Sequence, residues 1–207
     1  MIIAVDGPAA SGKGTIARAL AAHFGLPHLD TGLLYRAVGL AVLRHGGDPA
    51  HEIDALRASD FSDAMLHDPE IRSEAASRAA SVVSAHSAVR TKLLERQRAF
   101  ARQPGGAVLD GRDIGTVIAP GADAKLYVTA TPYVRAQRRY DELVRGDAHV
   151  NFAHVLADIE SRDARDSGRA AAPLVRAADA DLLDTSNLAI SIGVRQAVAL
   201  VEARVTA

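Results

Sequence analysis

Short apolar runs alternate with longer amphipathic stretches along the 207 residues of the chain. Residues 2–5 form an apolar, largely β-branched run that ends at Asp-Gly-Pro, which is typical of a buried parallel strand entering a tight turn. Ile16, Leu20 and Phe24 then recur at every fourth position, which predicts a helix that ends at Gly25. The chain is therefore predicted to begin with a strand, a turn and a helix.

Further apolar runs are separated by helical stretches and lie at residues 107–109, 125–128 and 182–183. Strands that alternate with helices form parallel sheets covered on both faces. We therefore predict a three-layer α/β fold with a parallel, five-stranded sheet. The length suits a single domain over residues 1–207.

Two segments are predicted to be carried by this core. No glycine occurs between Gly47 and Gly105, and Ala, Arg, Glu and Leu dominate residues 70–102. We therefore interpret residues 36–100 as a helical insertion. Its predicted role is to bind the acceptor, a small molecule that receives a transferred group. Residues 131–176 are rich in arginine and are interrupted near Gly146 and Gly168. Such glycines allow a segment to move, and we interpret this one as a lid.

A candidate phosphate-binding loop lies between the first strand and the first helix. Glycines let consecutive backbone N–H groups converge on phosphate oxygens, and a helix N-terminus adds positive potential. A lysine in the loop then supplies charge for the outer phosphates. We predict that ATP is bound by Gly7, Pro8, Ala9, Ala10, Ser11, Gly12, Lys13, Gly14 and Thr15.

Two polar segments follow predicted strands and are candidates for binding an acceptor. Asp30 and Thr31 are common helix-capping residues, but Thr31 and the nearby Arg36 are equally suited to an acceptor phosphate. Arg112 and Asp113 lie at the carboxyl end of an apolar strand, where open α/β sheets bind ligands. Asp113 is suited either to the first turn of a helix or to hydrogen bonds with a nucleobase.

Two predicted helices of the lid each carry three arginines: Arg135, Arg138 and Arg139 on the first, and Arg162, Arg165 and Arg169 on or after the second. Such residues commonly form solvated faces, and Arg162 and Asp166 have the spacing of a surface ion pair. A closing lid would instead place guanidinium groups around a transferring phosphoryl group. On that interpretation Lys13 and Arg165 stabilise the transfer, assisted by Arg138 or Arg139.

Composition excludes several other kinds of function. With 24 basic and 25 acidic residues, the chain lacks the basic surface that nucleic acid requires. It has no cysteine, which excludes disulfides and fits a reducing compartment, and no apolar run of about 18 residues that would span a membrane. The eight histidines show no metal-ligand spacing. We expect a cytoplasmic monomer that binds neither nucleic acid nor membrane.

Five stretches of the sequence resemble the bacterial cytidylate kinases, which belong to the nucleoside monophosphate kinases among the P-loop proteins: GPAASGKGT, DTGLLYRA, VRTKLLERQRAF, DGRDIGTVI and SRDARDSGRAAAPL. The resemblance extends from Ile2 to beyond Asp184. It implies transfer of the ATP γ-phosphoryl group to CMP or dCMP, with Mg²⁺ as cofactor. Gly14 replaces the usual Ser or Thr after the lysine, so the resemblance implies that phosphates and water mostly hold the ion.

The resemblance also implies roles for individual residues in binding the acceptor. Those implied to read the cytosine are Ser81, Arg90 and Asp113. Those implied to hold the acceptor phosphate are Arg36, Arg112 and Arg169, while Arg162 and Asp166 are implied to contact the sugar. The segment between Gly47 and Ser73 is shorter than in the longer members of the family and has no β-hairpin pattern.

Two other functions stay open on the sequence alone. One is a P-loop kinase for another small acceptor, such as UMP, AMP or shikimate. The other is a regulatory nucleotide-switch ATPase, against which the chain lacks an Asn-Lys-x-Asp motif for reading guanine.

Overall fold

The computed structural model describes residues 1–145 and 149–206. Gly146, one of the two glycines that interrupt the predicted lid, lies outside these residues. The chain forms two compact units, one of Met1–Leu29 with Ala101–Ala207 and the other of Asp30–Phe100. The assignment of residues 1–207 to a single domain stays a prediction, as do the bounds of the insertion and the lid.

The first unit is built on a sheet whose strands, in the described part of the chain, are β1 (Ile2–Asp6), β2 (His28–Asp30), β3 (Ala107–Gly111), β4 (Ala124–Thr129) and β5 (Asp181–Asp184). Their order across the sheet is β2-β3-β1-β4-β5. Because β1 lies between β3 and β4 and pairs in parallel with both, the loop after β1 starts at the centre of the sheet. The predicted five-stranded parallel sheet is confirmed.

The α-helices of the described residues are α1 (Lys13–Phe24), α2 (Thr31–Arg44), α3 (Glu52–Ala58), α4 (Glu74–Val83), α5 (Ser87–Ala101), α6 (Pro132–Arg145), α7 (Phe152–Gly168) and α8 (Ile190–Val205). Ile16 and Leu20 are buried on the inner face of α1, as their spacing predicts. They pack with strand residues such as Val5 and with Val201 of α8, which covers the same face of the sheet. Gly25 ends α1 with a left-handed φ of 65°.

Helices α6 and α7 form a second apolar cluster in the first unit. Ala136 of α6 packs with Val155 and Ile159 of α7 and with Ala9 of the loop after β1. The six lid arginines therefore lie on or directly after two helices, as predicted. The chain's own packing places these helices against the candidate phosphate loop.

The second unit is helical in its described residues. Leu34 and Val38 of α2 pack against Val83 of α4 and Leu93 of α5. The segment between Gly47 and Ser73 contains α3 and two 3₁₀ turns, Asp63–His67 and Pro69–Arg72, and no strand. None of the helices in the residues that the structure describes is both long and apolar enough to span a bilayer.

Candidate active site

The loop after β1 has a backbone that depends on glycine. Gly7 has a φ of 154°, and a Cβ atom on it would lie 2.0 Å from the carbonyl oxygen of Val128. Gly12 has a φ of 89° and directly precedes the first residue of α1. Even Ala10 has a positive φ, 57°, which costs about 1 kcal/mol for a residue with a side chain. The loop therefore ends at a helix N-terminus, whose unpaired N–H groups suit phosphate oxygens.

Arg135 ties this loop to α7. Its guanidinium donates to the carbonyl of Ala9 at 3.3 Å and to that of Ala130 at 2.8 Å. It also forms a two-bonded ion pair with Asp163, at 2.9 and 2.5 Å. Arg135 is 3% exposed, so this lid arginine is part of the packed interior and not of a solvated face.

Thr185 and Arg138 hold the loop from the other side. The Thr185 hydroxyl donates to the carbonyl of Ser11 at 2.9 Å, and Arg138 donates to the same carbonyl at 3.4 Å and to that of Thr185 at 2.7 Å. Partial burial lowers the pKa of Arg138, an effect that Asp184 opposes. Arg138 is therefore fixed beside the loop by its own donors.

A cavity of about 410 Å³ lies beside the loop and the first turn of α1. Its walls include the apolar side chains of Ile16, Leu188 and Ile190 together with Arg138 and Arg139. Its volume lies within the range of small-ligand pockets, which extends from about 300 to 1,000 Å³. An apolar wall next to a phosphate-binding loop is suited to the nucleoside of a bound nucleotide.

The turn after β3 is held by Asp6, the last residue of β1. Both oxygens of its carboxylate accept backbone N–H groups, from Ile114 and Gly115, each at 2.8 Å. Burial raises the pKa of Asp6 to about 6, although these two hydrogen bonds lower it. The adjoining Asp113 is buried and directly precedes the helical turn Ile114–Ile118, although its side chain makes no capping hydrogen bond. Both interpretations of Asp113, at a helix start or as a contact to a base, stay predictions.

Asp166 lies between two arginines. Arg112 donates to one carboxylate oxygen at 2.7 Å, and Arg169 donates to the other at 2.6 Å. Burial opposes ionisation of Asp166, but Arg112, Arg169 and Arg162 together hold its pKa below the ordinary value. The alternative of an exposed pair between Arg162 and Asp166 is wrong, because Asp166 is only 3% exposed.

Four further predicted site residues of the first unit lie on α1, α6 and α7. Lys13 is the first residue of α1, at the end of the loop. Arg165 is exposed on α7 and donates to the hydroxyl of Ser161 at 2.7 Å, while Arg162 of the same helix is half-buried. Arg139 pairs with Glu142 at 2.6 Å on the exposed side of α6. The catalytic roles of Lys13, Arg138, Arg139 and Arg165 stay predictions.

In the helical unit, Asp30 is the cap of α2. Its carboxylate accepts the N–H of Gly32 at 3.0 Å, which confirms the capping interpretation of this residue. Thr31 is buried in the first turn of the helix. Arg36, one turn further on, donates to the carbonyl of Ile71 at 3.3 Å and to the hydroxyl of Ser77 at 3.1 Å. These two contacts fix the direction of its guanidinium.

Ser81 and Arg90 are brought together at the junction of α4 and α5. Arg90 donates to the carbonyl of Ser84 at 3.3 Å, and the Ser84 hydroxyl donates to the carbonyl of Ser81 at 3.1 Å. The guanidinium of Arg90 also lies 5.5 Å from the centre of the Tyr35 ring. The predicted base-reading residues Ser81 and Arg90 are thus neighbours within this unit.

Sequence reasoning missed three residues that shape the site: Asp6, Asp163 and Thr185. Asp6 and Thr185 both follow apolar strands at the carboxyl edge of the sheet, which is the signal that singled out Asp113. Asp163 carries no comparable signal, because it pairs with Arg135, 28 positions earlier in the chain.

The residues around the loop fit a magnesium ion that is carried by the nucleotide. The described residues contain no group of three or more His, Asp or Glu side chains that could hold a metal by themselves. Asp110, which accepts or shares a hydrogen bond with His28 at 2.7 Å, has its other oxygen 3.7 Å from where a Cβ on Gly14 would lie. A carboxylate therefore lies near Gly14, at the end of the loop, and carboxylate oxygens are ligands that Mg²⁺ accepts.

Comparison with known proteins identifies the family. The family model for cytidylate kinase matches residues 3–203. A cytidylate kinase of Xanthobacter autotrophicus is 60% identical over 99% of this chain and 98% of its own length. One of Azorhizobium caulinodans is 57% identical over 98% of each chain. An uncharacterised protein from Eubacterium ventriosum, 13% identical, shares the fold over 99% of both chains with a TM-score of 0.60. The chain belongs to the cytidylate kinase family.

Proposed function

We propose that this protein is an ATP-dependent kinase that phosphorylates CMP or dCMP to CDP or dCDP, with release of ADP. The observation that carries this proposal is the pairing of a glycine-dependent phosphate loop with a preorganised Arg112–Asp166–Arg169 cluster in the same unit. One feature suits the phosphates of a donor, and the other suits the phosphate of an acceptor. Kinases for UMP, AMP or shikimate are less well supported, as is a switch ATPase.

The donor nucleotide is held by residues 7–15 in this proposal. The main-chain N–H groups of the loop and of the first turn of α1 contact the β and γ phosphates, and Lys13 adds a point charge. The cavity beside α1 takes the nucleoside, with its apolar base against Ile16 and Leu188. Arg138 lies at the junction of the loop and this cavity, where its charge faces the phosphate chain.

Mg²⁺ is the proposed cofactor, with Asp110 and Thr15 as the protein residues that would lie beside it. When bound, the ion neutralises charge on the β and γ phosphates.

The acceptor phosphate is proposed to bind Arg112 and Arg169. Both guanidiniums are fixed by Asp166, so little side-chain freedom is lost when a phosphate binds. Within the helical unit, Arg36 has a similarly fixed direction, and it is proposed to bind acceptor phosphate, as is Thr31 at the start of its helix. Arg162 is proposed to contact the sugar together with Asp166.

The base of the acceptor is proposed to be read by polar side chains that match cytosine. Cytosine presents an amino donor at N4 and acceptors at N3 and O2. A carboxylate at Asp113 satisfies N4, while Arg90 satisfies N3 and O2, with Ser81 next to it in the helical unit. Uracil presents O4 and N3–H at these places, which leaves buried polar groups unpaired at about 1–3 kcal/mol each.

Transfer is proposed to proceed by in-line attack of an acceptor phosphate oxygen on the γ-phosphorus of ATP. The protein contributes positioning and neutralisation of charge and forms no covalent intermediate. We propose that Lys13 and Arg165 stabilise the charge of the transferring group, assisted by Arg138 or Arg139. Arg165 is exposed on α7 in this structure, where its guanidinium donates to Ser161.

A panel of acceptors tests the reaction and its specificity together. ADP release is measured with CMP, dCMP, UMP, AMP and shikimate, and with no acceptor. We expect turnover with CMP or dCMP at least tenfold above that with UMP, since mispaired groups cost about 1–3 kcal/mol. A preference for AMP or shikimate would contradict the proposal, and fast phosphate release without any acceptor would support a switch ATPase.

Asp113→Ala is expected to relax the choice between pyrimidines. Removal of the carboxylate takes away the partner of N4 and also the repulsion of O4, so the ratio of CMP to UMP turnover should fall about tenfold or more. The ratio is measured from kcat/KM for both acceptors. Asp123→Asn, at the other end of the sheet, is the control and should keep the wild-type ratio. An unchanged ratio in the Asp113 variant would show that this residue does not read the base.

The cytoplasmic location and the monomeric state stay predictions of the sequence.

A further inference from the structure

Asp6 joins two parts of the site that the sequence treats as separate. It closes β1 and directly precedes Gly7, the first residue of the donor loop. Its two carboxylate oxygens accept the N–H groups of Ile114 and Gly115, each at 2.8 Å. In addition, the N–H of Gly7 donates to the carbonyl of Gly111 at 3.3 Å. The start of the donor loop and the turn after β3 are therefore tied by three hydrogen bonds.

The turn that Asp6 holds is the one that carries the proposed acceptor contacts. In the sequence, Arg112 and Asp113 lie between Gly111, the last residue of β3, and the pair Ile114 and Gly115, whose N–H groups donate to Asp6. The five residues that follow, Ile114–Ile118, form a π-helical turn, a rare conformation that occurs often at functional sites. Asp113 gives this turn no side-chain cap, so Asp6 supplies the side-chain hydrogen bonds that the turn receives at its start.

The environment of Asp6 makes its charge costly. It is 5% exposed, and burial raises its pKa to about 6. The charged and titratable groups that face it are Arg112 and Asp113 from the segment after β3 and Tyr127 from β4. Lys125 of β4 lies behind Gly115 and is occupied by Asp179. An uncharged side chain would fill this buried position at a lower desolvation cost. Packing alone therefore does not explain why the residue is an aspartate.

We propose that Asp6 is a positioning residue for the acceptor, whose ionised carboxylate fixes Arg112 and Asp113 relative to the donor loop. This inference rests on the acceptor roles given to those two residues under the proposed function. Both carboxylate oxygens are acceptors, and both face an N–H group. If Asp6 is protonated or is replaced by asparagine, one of its two oxygen positions carries a hydrogen-bond donor. That donor then faces the N–H group of Ile114 or Gly115, which is also a donor. The turn then shifts, and the acceptor contacts shift with it.

Asp6→Asn separates positioning of the acceptor from binding of the donor. Initial rates are measured at pH 7.5 with CMP and ATP varied in turn. We expect KM for CMP to rise about tenfold, because one buried N–H loses its acceptor, while KM for ATP changes by less than about twofold. Asp123→Asn is a matched control, since Asp123 also accepts a strand N–H, that of Ile2 at 2.7 Å, at the opposite end of β1. It should keep both wild-type KM values.

The pH profile gives a readout that a purely structural role would not change. The phosphate of CMP itself takes up a proton near pH 6. In the wild type, Asp6, whose pKa is raised to about 6, takes up a second proton in the same pH range. A plot of log KM for CMP against pH should therefore have the slope of two protons on the acidic side. In Asp6→Asn only the substrate titrates, and the slope should be that of one proton. Equal slopes would overturn the proposal, as would equal increases in both KM values at pH 7.5.

A second variant keeps the proposal testable if Asp6→Asn does not fold. A Cβ on Gly115 would lie 3.4 Å from a carboxylate oxygen of Asp6 and 3.1 Å from Cδ of Lys125, so Gly115→Ala disturbs the same joint. It should raise KM for CMP and leave KM for ATP unchanged. Two results together would overturn the inference: a KM for CMP in Gly115→Ala equal to that of the wild type, and a pH dependence of KM for CMP in the wild type with the slope of one proton. Failure of the proposed function is seen separately, as loss of the preference for CMP in the acceptor panel.

Discussion

Gly7→Ala is expected to weaken ATP binding by at least about a hundredfold. The new Cβ would lie 2.0 Å from the carbonyl oxygen of Val128, a backbone atom of β4 that is held by the pairing of that strand. The φ of 154° at Gly7 adds strain for a residue with a side chain. The loop must therefore move away from β4, and its N–H groups lose their common direction. A hundredfold loss corresponds to about 2.7 kcal/mol of binding free energy.

Calorimetric titration with ATP and magnesium measures this effect, and Gly25→Ala is its control. Gly25 also has a left-handed φ, 65°, but a Cβ on it meets nothing within 4 Å. That variant should lose about 1 kcal/mol of folding stability and keep wild-type affinity for ATP. Affinity within threefold of the wild type in Gly7→Ala, or an equal loss in both variants, would contradict the role given to the loop.

The loop and the sheet were predictable because their signals are local. An apolar run, a glycine turn, a lysine and a helical spacing all lie within residues 2–25, and each needs only its neighbours in sequence. The order of the strands was not predictable in this way. The pattern of β3 and β4 does not say that both pair with β1, since strand order depends on how helices cover the two faces.

The arginines show where sequence reasoning fails. Arg135 and Arg139 lie four positions apart on one helix, yet Arg135 is 3% exposed and bound to the loop, while Arg139 is partly exposed and pairs with Glu142 of its own helix. The difference is set by Asp163, on the next helix. Likewise, the spacing of Arg162 and Asp166 indicates an exposed local pair, but Asp166 is buried, and one of its oxygens binds Arg112, 54 positions earlier. Contacts between distant segments leave no periodic trace.

The capping aspartates illustrate the same limit. Asp30 and Asp113 each follow a strand and precede a helical turn, and the sequence offers both the same two interpretations. Asp30 accepts an N–H of its own helix, whereas the side chain of Asp113 makes no such bond, and Asp6 from another strand binds the N–H groups at that turn. Which aspartate caps its own helical turn is not readable from the sequence around it.

Asp166→Asn is expected to lower kcat/KM for CMP by about a hundredfold to a thousandfold. Asp166 accepts from Arg112 and Arg169, and its loss removes the carboxylate that both guanidiniums bind, a change that costs about 3–5 kcal/mol when such a pair is buried. The two arginines then repel each other and no longer present their donors to one phosphate. KM for ATP should stay near the wild-type value, because Asp166 and the two arginines that it binds lie outside the donor loop, residues 7–15.

Steady-state kinetics with both substrates varied, together with urea unfolding, measures the effect of Asp166→Asn. Glu160→Gln, an exposed change on the same helix, is the control and should match the wild type in both. Because the pKa of Asp166 is lowered in the fold, its stabilising charge is present at neutral pH and is lost as the pH falls through that lowered pKa. The difference in unfolding free energy between the wild type and Asp166→Asn should therefore be largest at pH 7 and should decrease below about pH 4. Unchanged kcat/KM for CMP, or a stability deficit that does not depend on pH, would show that the cluster does not hold the acceptor phosphate through the charge of Asp166.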